Sequence, residues 1–342
     1  MAIVDPLGLQ PRPTSGNQTP DWSSERVEKA MIGVDLIWVE HGPQEGIVSA
    51  LKTYVAVNRH VRGVPLDGRR LSQFYQAGKS AIALRLKKVL MAEDIASGRE
   101  PNPHQVLIVT VNRRTTLRQF YQTILAMLED AFHDVERLGH DERARERRRR
   151  ERRSSEALQN MVADWVLRLG VELLVVDEVQ RLDRVSDDAE DVTEELQTFC
   201  DRGIVPVLLI GNERSAPFLQ RNRELAVRLG TPFELKPLDF DDDHQARLFI
   251  AFCKEFDRLL VSSDCMPQLS GLESPTIIDG LYAASSGHVG RVARILKEAL
   301  SHAAAREASL IEAHDLSKAI RQYAIGVGWI DRDPFSRSRS SR

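Results

Sequence analysis

Cysteine is scarce in this 342-residue chain: Cys200, Cys253 and Cys265 are the only three. They are too few and too widely spaced for a disulfide framework or a thiolate zinc cluster, and a reducing cytoplasm is the expected compartment. Long hydrophobic runs are missing too. No stretch reaches the ~18 apolar residues of a membrane-spanning helix. The first thirty residues are polar and contain proline, with no apolar segment behind a basic start, so no signal peptide is expected. Lysine is rare, with nine copies against 38 arginines, and the net charge of −3 lacks the basic excess of a nucleic-acid binder. What is present is an ordinary globular composition, 42% hydrophobic and 28% charged. The length suits about two domains with substantial cores.

The average charge conceals an asymmetry. Residues 143–153, RARERRRRERR, hold eight arginines and two glutamates, a local +6 that leaves −9 for the rest of the chain. Charge concentrated in one place steers a polyanion, whatever the total. Arg147 and Arg148 are therefore candidate phosphate contacts, against the competing reading of a solvated helix face or loop.

Residues 1–24 are rich in Pro, Gly, Ser and Thr and read as a flexible arm. Helical patterns follow at 25–33 and 44–58. Residues 69–76, RRLSQFYQ, form a short candidate strand that runs into AGKS and an amphipathic helix. Short apolar runs of strand length recur at 105–111, 172–178 and 205–211, with FELKPL near 233–238 as a fifth candidate. Helical patterns separate them, including one at about 115–137 and another leading to Leu169. Such alternation predicts a parallel sheet covered on both faces. From about Asp239 to residue 326 the pattern is helical throughout. The reading is an α/β nucleotide-binding domain over 25–238, interrupted by an Arg-rich insertion at about 141–155. An all-helical domain follows over 239–326, then a loose polar tail over 327–342.

Four motifs carry chemistry. In QFYQAGKS, Gly78, Lys79 and Ser80 supply the turn, the cation and the hydroxyl of a phosphate loop. Gln73 stands where the first glycine of that pattern belongs, and a plain glycine turn between strand and helix is the competing reading. In LLVVDE, an apolar strand delivers Asp177 and Glu178 to its C-terminal end, where ligands of open α/β sheets bind. Asp177 suits a Mg²⁺ ion and Glu178 suits polarising an attacking water; two solvated acids are the alternative. In LLIGN, Asn212 caps the next strand and could meet a γ-phosphate, or be half of a Gly-Asn turn. In GHVGRVARIL, Arg291 or Arg294 could aim back at the nucleotide, since a guanidinium stays charged and donates two parallel hydrogen bonds. The alternative is a solvated helix face.

Together these motifs resemble an AAA+ ATPase: a P-loop core with a C-terminal all-helical lid. Within that group the chain is most similar to the TniB/TnsC transposition regulators. The segments that carry the resemblance are WVEH, VDEVQRL, LLIGNERSAPFL, RELAVRLGTPFELKPLD and SSGHVGRVARIL, with a DPF tripeptide near the end resembling the NPF-like tails of some relatives. It covers about residues 35–335. It implies ATP and Mg²⁺ as cofactors, with a preference for adenine. It implies a homo-oligomeric ring or filament on double-stranded DNA, recruitment of a transposase, a separate target-selector protein in some systems, and no membrane association. Residue by residue, Lys79 and Ser80 would bind nucleotide and Mg²⁺, and Asp177 and Glu178 would serve the metal and the water. Asn212 would be sensor 1 and Arg291 sensor 2. Arg228 matches a trans-acting arginine finger, with Arg223 in reserve. Relatives present loops to DNA after the second strand, which makes Arg113, Arg114 and Thr115 candidates; a polar helix cap by Thr115 or Thr116 is the alternative. Gln73 leaves open a nucleotide-gated adaptor that does not hydrolyse. A secretion- or replication-associated ATPase on the same fold is a further alternative.

Overall fold

The computed structural model describes residues 25–61, 63–72, 78–132, 153–182 and 187–336. Gln73, Arg147, Arg148 and most of the Arg-rich run lie outside them. Four parallel strands form the sheet, in the order β1-β4-β3-β2: β1 Arg69–Ser72, β2 Val106–Thr110, β3 Leu173–Asp177 and β4 Val207–Gly211. Helices α1 (Glu25–Leu36) and α2 (Gly42–Arg59) precede the sheet. Helix α3 (Lys79–Ala96) links β1 to β2, and α4 (Leu117–Phe132) and α5 (Ser155–Arg168) lie between β2 and β3. Helix α6 (Asp187–Asp201) links β3 to β4; the short α7 (Ser215–Arg221) and α8 (Arg223–Arg228) follow β4.

The apolar runs of β3 and β4 are continuous because both faces are covered. Leu173 and Val175 point to a cluster with Leu51 of α2 and Ile82 and Leu86 of α3. Leu174 and Val176 point to the opposite cluster, with Phe120 and Ile124 of α4, Val162 of α5 and Phe199 of α6. All of these side chains are essentially inaccessible, and truncating one to Ala costs about 2–5 kcal/mol.

The fifth strand expected at 233–238 does not form. Phe233 makes a single bridge to Leu71, with its N–H donating to the Arg70 carbonyl. Pro232 and Pro237 carry no N–H and break a ladder at both ends.

Beyond Leu238 come α9 (Asp243–Ser262), α10 (Pro275–Ser285), α11 (Val289–Ala305) and α12 (Ala313–Ala319), the last continued by one wider turn over Ile320–Ala324. They share one core, built on Phe249, Leu260, Leu281, Ile295 and Leu300. Two features differ from the sequence reading. Helix α1, grouped by sequence with the sheet, buries Val27, Ala30 and Val34 in this helical core. The segment 329–335, read as loose, is docked: Asp333 accepts from Ser317 Oγ at 2.5 Å, and the Phe335 ring packs on Gly280.

Candidate functional site

The first crossover runs from β1 over β4 and β3 to β2, and the chain then returns strand by strand. That reversal opens a crevice at the C-terminal ends of the strands, the usual ligand position in such sheets. Gly78, Lys79 and Ser80 lie on one side of it. Gly78 has φ 84°, a left-handed conformation that favours glycine, and a Cβ there would come within 2.7 Å of Gln44 Nε2. Lys79 and Ser80 open α3, where backbone N–H groups and the helix dipole favour an anion, and no acid occupies the first turn.

The sequence-distant motifs meet. Ser80 Oγ donates to Asp177 Oδ2 at 2.6 Å. Asp177 ends β3, is buried, and accepts the Glu178 N–H at 2.8 Å through its other oxygen. Burial pushes the Lys79 ammonium below its usual range, opposed by the charges of Asp177, Glu213 and Glu178 in that order. Asn212 follows β4 and is buried; its Oδ1 accepts the Arg214 N–H, while its Nδ2 is buried without a hydrogen-bond partner.

Glu178 is held in a way the sequence did not reveal. Its φ is 65°. Gln180 Nε2 donates to Glu178 Oε2 at 2.9 Å, and Arg181 Nη2 pairs with the same oxygen at 3.0 Å. Gln180 Oε1 also accepts the Asn212 N–H at 3.2 Å, and Arg181 Nη1 donates to the Val111 carbonyl at 3.4 Å. A 3₁₀ turn over Val179–Leu182 folds these two side chains back onto the strand ends. Their presence in VDEVQRL was visible; their role depends on that turn.

The helical half closes the other side. A cleft of about 130 Å³ lies between Ile37, Trp38 and Val39, the phosphate-loop side at Gly78 and Ala81, and Val289, Gly290 and Ala293 of α11. Its lining is mainly apolar, as a nucleobase requires. Of the two candidate arginines, Arg294 is taken by Glu298 at 2.7 Å. Arg291 has Glu213 as its compensating acid, and burial lowers its pKa. His288, at the N-cap of α11, is held neutral: burial first, then the Arg291 charge, lowers its pKa to about 4. Glu213 and His288 were not singled out from sequence, since nothing in their spacing links them.

Arg228 lies at the opposite end of the sheet. Its carbonyl accepts the N–H of Gly68, just before β1, and its guanidinium pairs with Asp201 at 2.8 Å. Because the strands are parallel, it cannot reach Glu178 of its own chain. Arg223 opens α8 nearby. Arg113 and Arg114 are exposed just beyond β2, whose last residue Thr110 sits in register with Asp177. The Thr115 hydroxyl accepts the Asn112 N–H at 2.9 Å, and Thr116 caps α4 in reciprocal bonds with Gln119.

Residues 75–219 match the family model described as an AAA domain. The fold is an AAA+ fold. The chain is similar to the Aeropyrum pernix ORC2 protein in its ADPNP–ADP complexes, at 14% identity and a TM-score of 0.60, over 88% of this chain and 72% of that one. The Aeropyrum pernix ORC1 protein in complex with DNA is similar at 17% identity and a TM-score of 0.56, over 85% and 69%. No curated protein sequence matches the chain. Among the described residues no helix is long and apolar enough to cross a membrane.

Proposed function

We propose that this AAA+ protein is an ATPase that assembles on double-stranded DNA when ATP is bound and recruits a transposase to a target site. The observation that carries the nucleotide reading is the Ser80–Asp177 hydrogen bond, with Lys79 beside it and an apolar cleft next door. Three functions that a nucleotide needs thus converge from α3, β3 and the helical half. The orphaned Asn212 Nδ2 suits an incoming phosphate oxygen. Ser80 and Asp177 would hold Mg²⁺, which would offset charge on the phosphate oxygens. Glu178 would orient the attacking water, and Arg291 would contact the phosphates from the lid. Arg228, at the far end of the sheet, would complete a neighbouring copy's site, so hydrolysis would follow assembly. The fold likeness to proteins solved with ADPNP, ADP and DNA supports a nucleotide- and DNA-linked role. The transposition assignment rests on the sequence segments named above.

DNA would be held through its backbone by the exposed Arg113 and Arg114, with Thr115 beside them, and by Arg147 and Arg148 of the basic run. The test is fluorescence anisotropy on duplexes of arbitrary sequence. Binding is expected with ATP, to fall steeply with salt, and to be lost in Lys79→Ala. Undiminished DNA binding and oligomerisation by Lys79→Ala in ATP would sink the proposal. A second reading, a nucleotide-gated adaptor, draws on the Arg181–Glu178 pair. Equal phosphate release by wild type and Glu178→Gln, with DNA and transposase present, would favour it.

A further inference from the structure

The lid arginine is built into a stack of aromatic and cationic side chains. The Arg291 guanidinium lies over the Trp329 ring at 5.2 Å from its centroid, and its Nε is buried without a hydrogen-bond partner. An arginine side chain has about 2 kcal/mol of rotamer entropy to lose, and a flat ring on one side removes much of that freedom in advance. Trp329 is itself fixed. Its backbone N–H donates to the Ala324 carbonyl at 2.9 Å, and its ring meets Tyr323 edge to face at 5.2 Å. Four residues on, Asp333 takes the Ser317 hydroxyl and lies 3.6 Å from Arg321. The Phe335 ring then covers Gly280 so closely that a Cβ there would come within 2.3 Å of it.

We propose that Trp329 is a positioning residue for Arg291, and that the docked segment 329–335 sets how the lid arginine meets the γ-phosphate. This rests on reading Arg291 as the phosphate-facing arginine of the lid. Trp329 supplies a π face, which attracts a guanidinium and fixes its plane without using any of its N–H donors. The four Nη N–H donors remain for phosphate oxygens. A carboxylate in that place would occupy donors and cancel the charge.

The experiment titrates the full-length protein with a fluorescent methylanthraniloyl ATP, and in parallel with the matching ADP, in Mg²⁺. Trp329→Ala is expected to weaken ATP binding about tenfold while ADP binding stays within about twofold. Trp329→Leu, which keeps apolar bulk but no π face, should show the same loss, and Trp329→Phe should restore most of the affinity. This Leu/Phe contrast holds even if Trp329→Ala lowers the melting temperature. Arg291→Ala should lose as much as Trp329→Ala, and the double variant no more than either. Wild-type ATP binding by Trp329→Leu, with Arg291→Ala impaired, overturns the proposal and leaves the reading of Arg291 standing. Additive losses in the double variant overturn it too, because Trp329 would then act through the body of the lid. Wild-type binding by Arg291→Ala overturns the underlying reading itself.

Discussion

Glu178 occupies a backbone conformation, φ 65°, that costs a non-glycine residue about 1–3 kcal/mol. Such strain is kept where it aims a side chain, and here the carboxylate is aimed at Arg181. Both partners are partly exposed, so the pair is worth only about 0.2–1 kcal/mol. A latch that weak can be opened by modest binding energy, and Arg181 also donates to Val111, just before the loop bearing Arg113 and Arg114. Arg181→Ala is therefore expected to raise phosphate release without DNA by several-fold, and to narrow the difference DNA makes. A colorimetric phosphate assay decides it, and an unchanged or lower DNA-free rate counts against the latch. Gly78, Lys79, Ser80, Asp177 and Glu178 were legible in the sequence because their chemistry resides in residue type and order. Gln180 and Arg181 were not, because a 3₁₀ turn brings them back to the site. Arg291 could be told from Arg294 only once Glu298 was seen to occupy the latter.

At the scale of elements, β3 and β4 announced themselves because burial on both faces demands uninterrupted apolar residues. Strand β1, RRLS, has no such run and was legible only from its place ahead of the glycine turn. The segment after Pro232 has alternating apolar residues but prolines at both ends, and it yields one bridge. The link between the sheet and α11 is equally dependent on backbone detail. Gly287 has φ 77°, its carbonyl accepts the Leu238 N–H, and a Cβ there would lie 2.1 Å from the Leu238 carbonyl oxygen. Any side chain meets both a conformational penalty and a backbone clash. Gly287→Ala should cost about 2 kcal/mol or more in urea unfolding, and a cost within about 0.5 kcal/mol would show that the junction yields. The contrast is Gly271, also at positive φ but with open space around it, where Ala should cost only the conformational part.

For the whole molecule, three histidines within or packed against the helical half are kept neutral by burial, His41, His288 and His302, each with its pKa lowered from 6.5 to about 4. The unfolded chain takes up these protons first, so stability is fully present above pH 6.5, is lost as pH falls toward 4, and levels below that. A melting temperature that declines across this window, and declines less in His41→Gln, is expected. A flat profile between pH 6.5 and 5 would contradict it. The helical half has another property that hydrophobic periodicity could not disclose: it is assembled from both sides of the sheet. Periodicity shows which face of α1 is apolar, not where that face lands. It lands on residues far along the chain: an Arg26 guanidinium N–H donates to the Ala308 carbonyl, 282 positions away, and Lys297 pairs with Asp35. During synthesis the sheet has all its strands by Gly211 and can pack early, since domains fold as units while the chain lengthens. Helix α1 is made before the sheet, yet its partners follow the sheet: first the turn ending α9, where Lys29 meets Asp264, and then α11. Its apolar stripe of Val27, Ala30 and Val34 stays open to chaperones, or to another nascent chain, while the whole sheet is made, and it is covered only once α9 and α11 have followed.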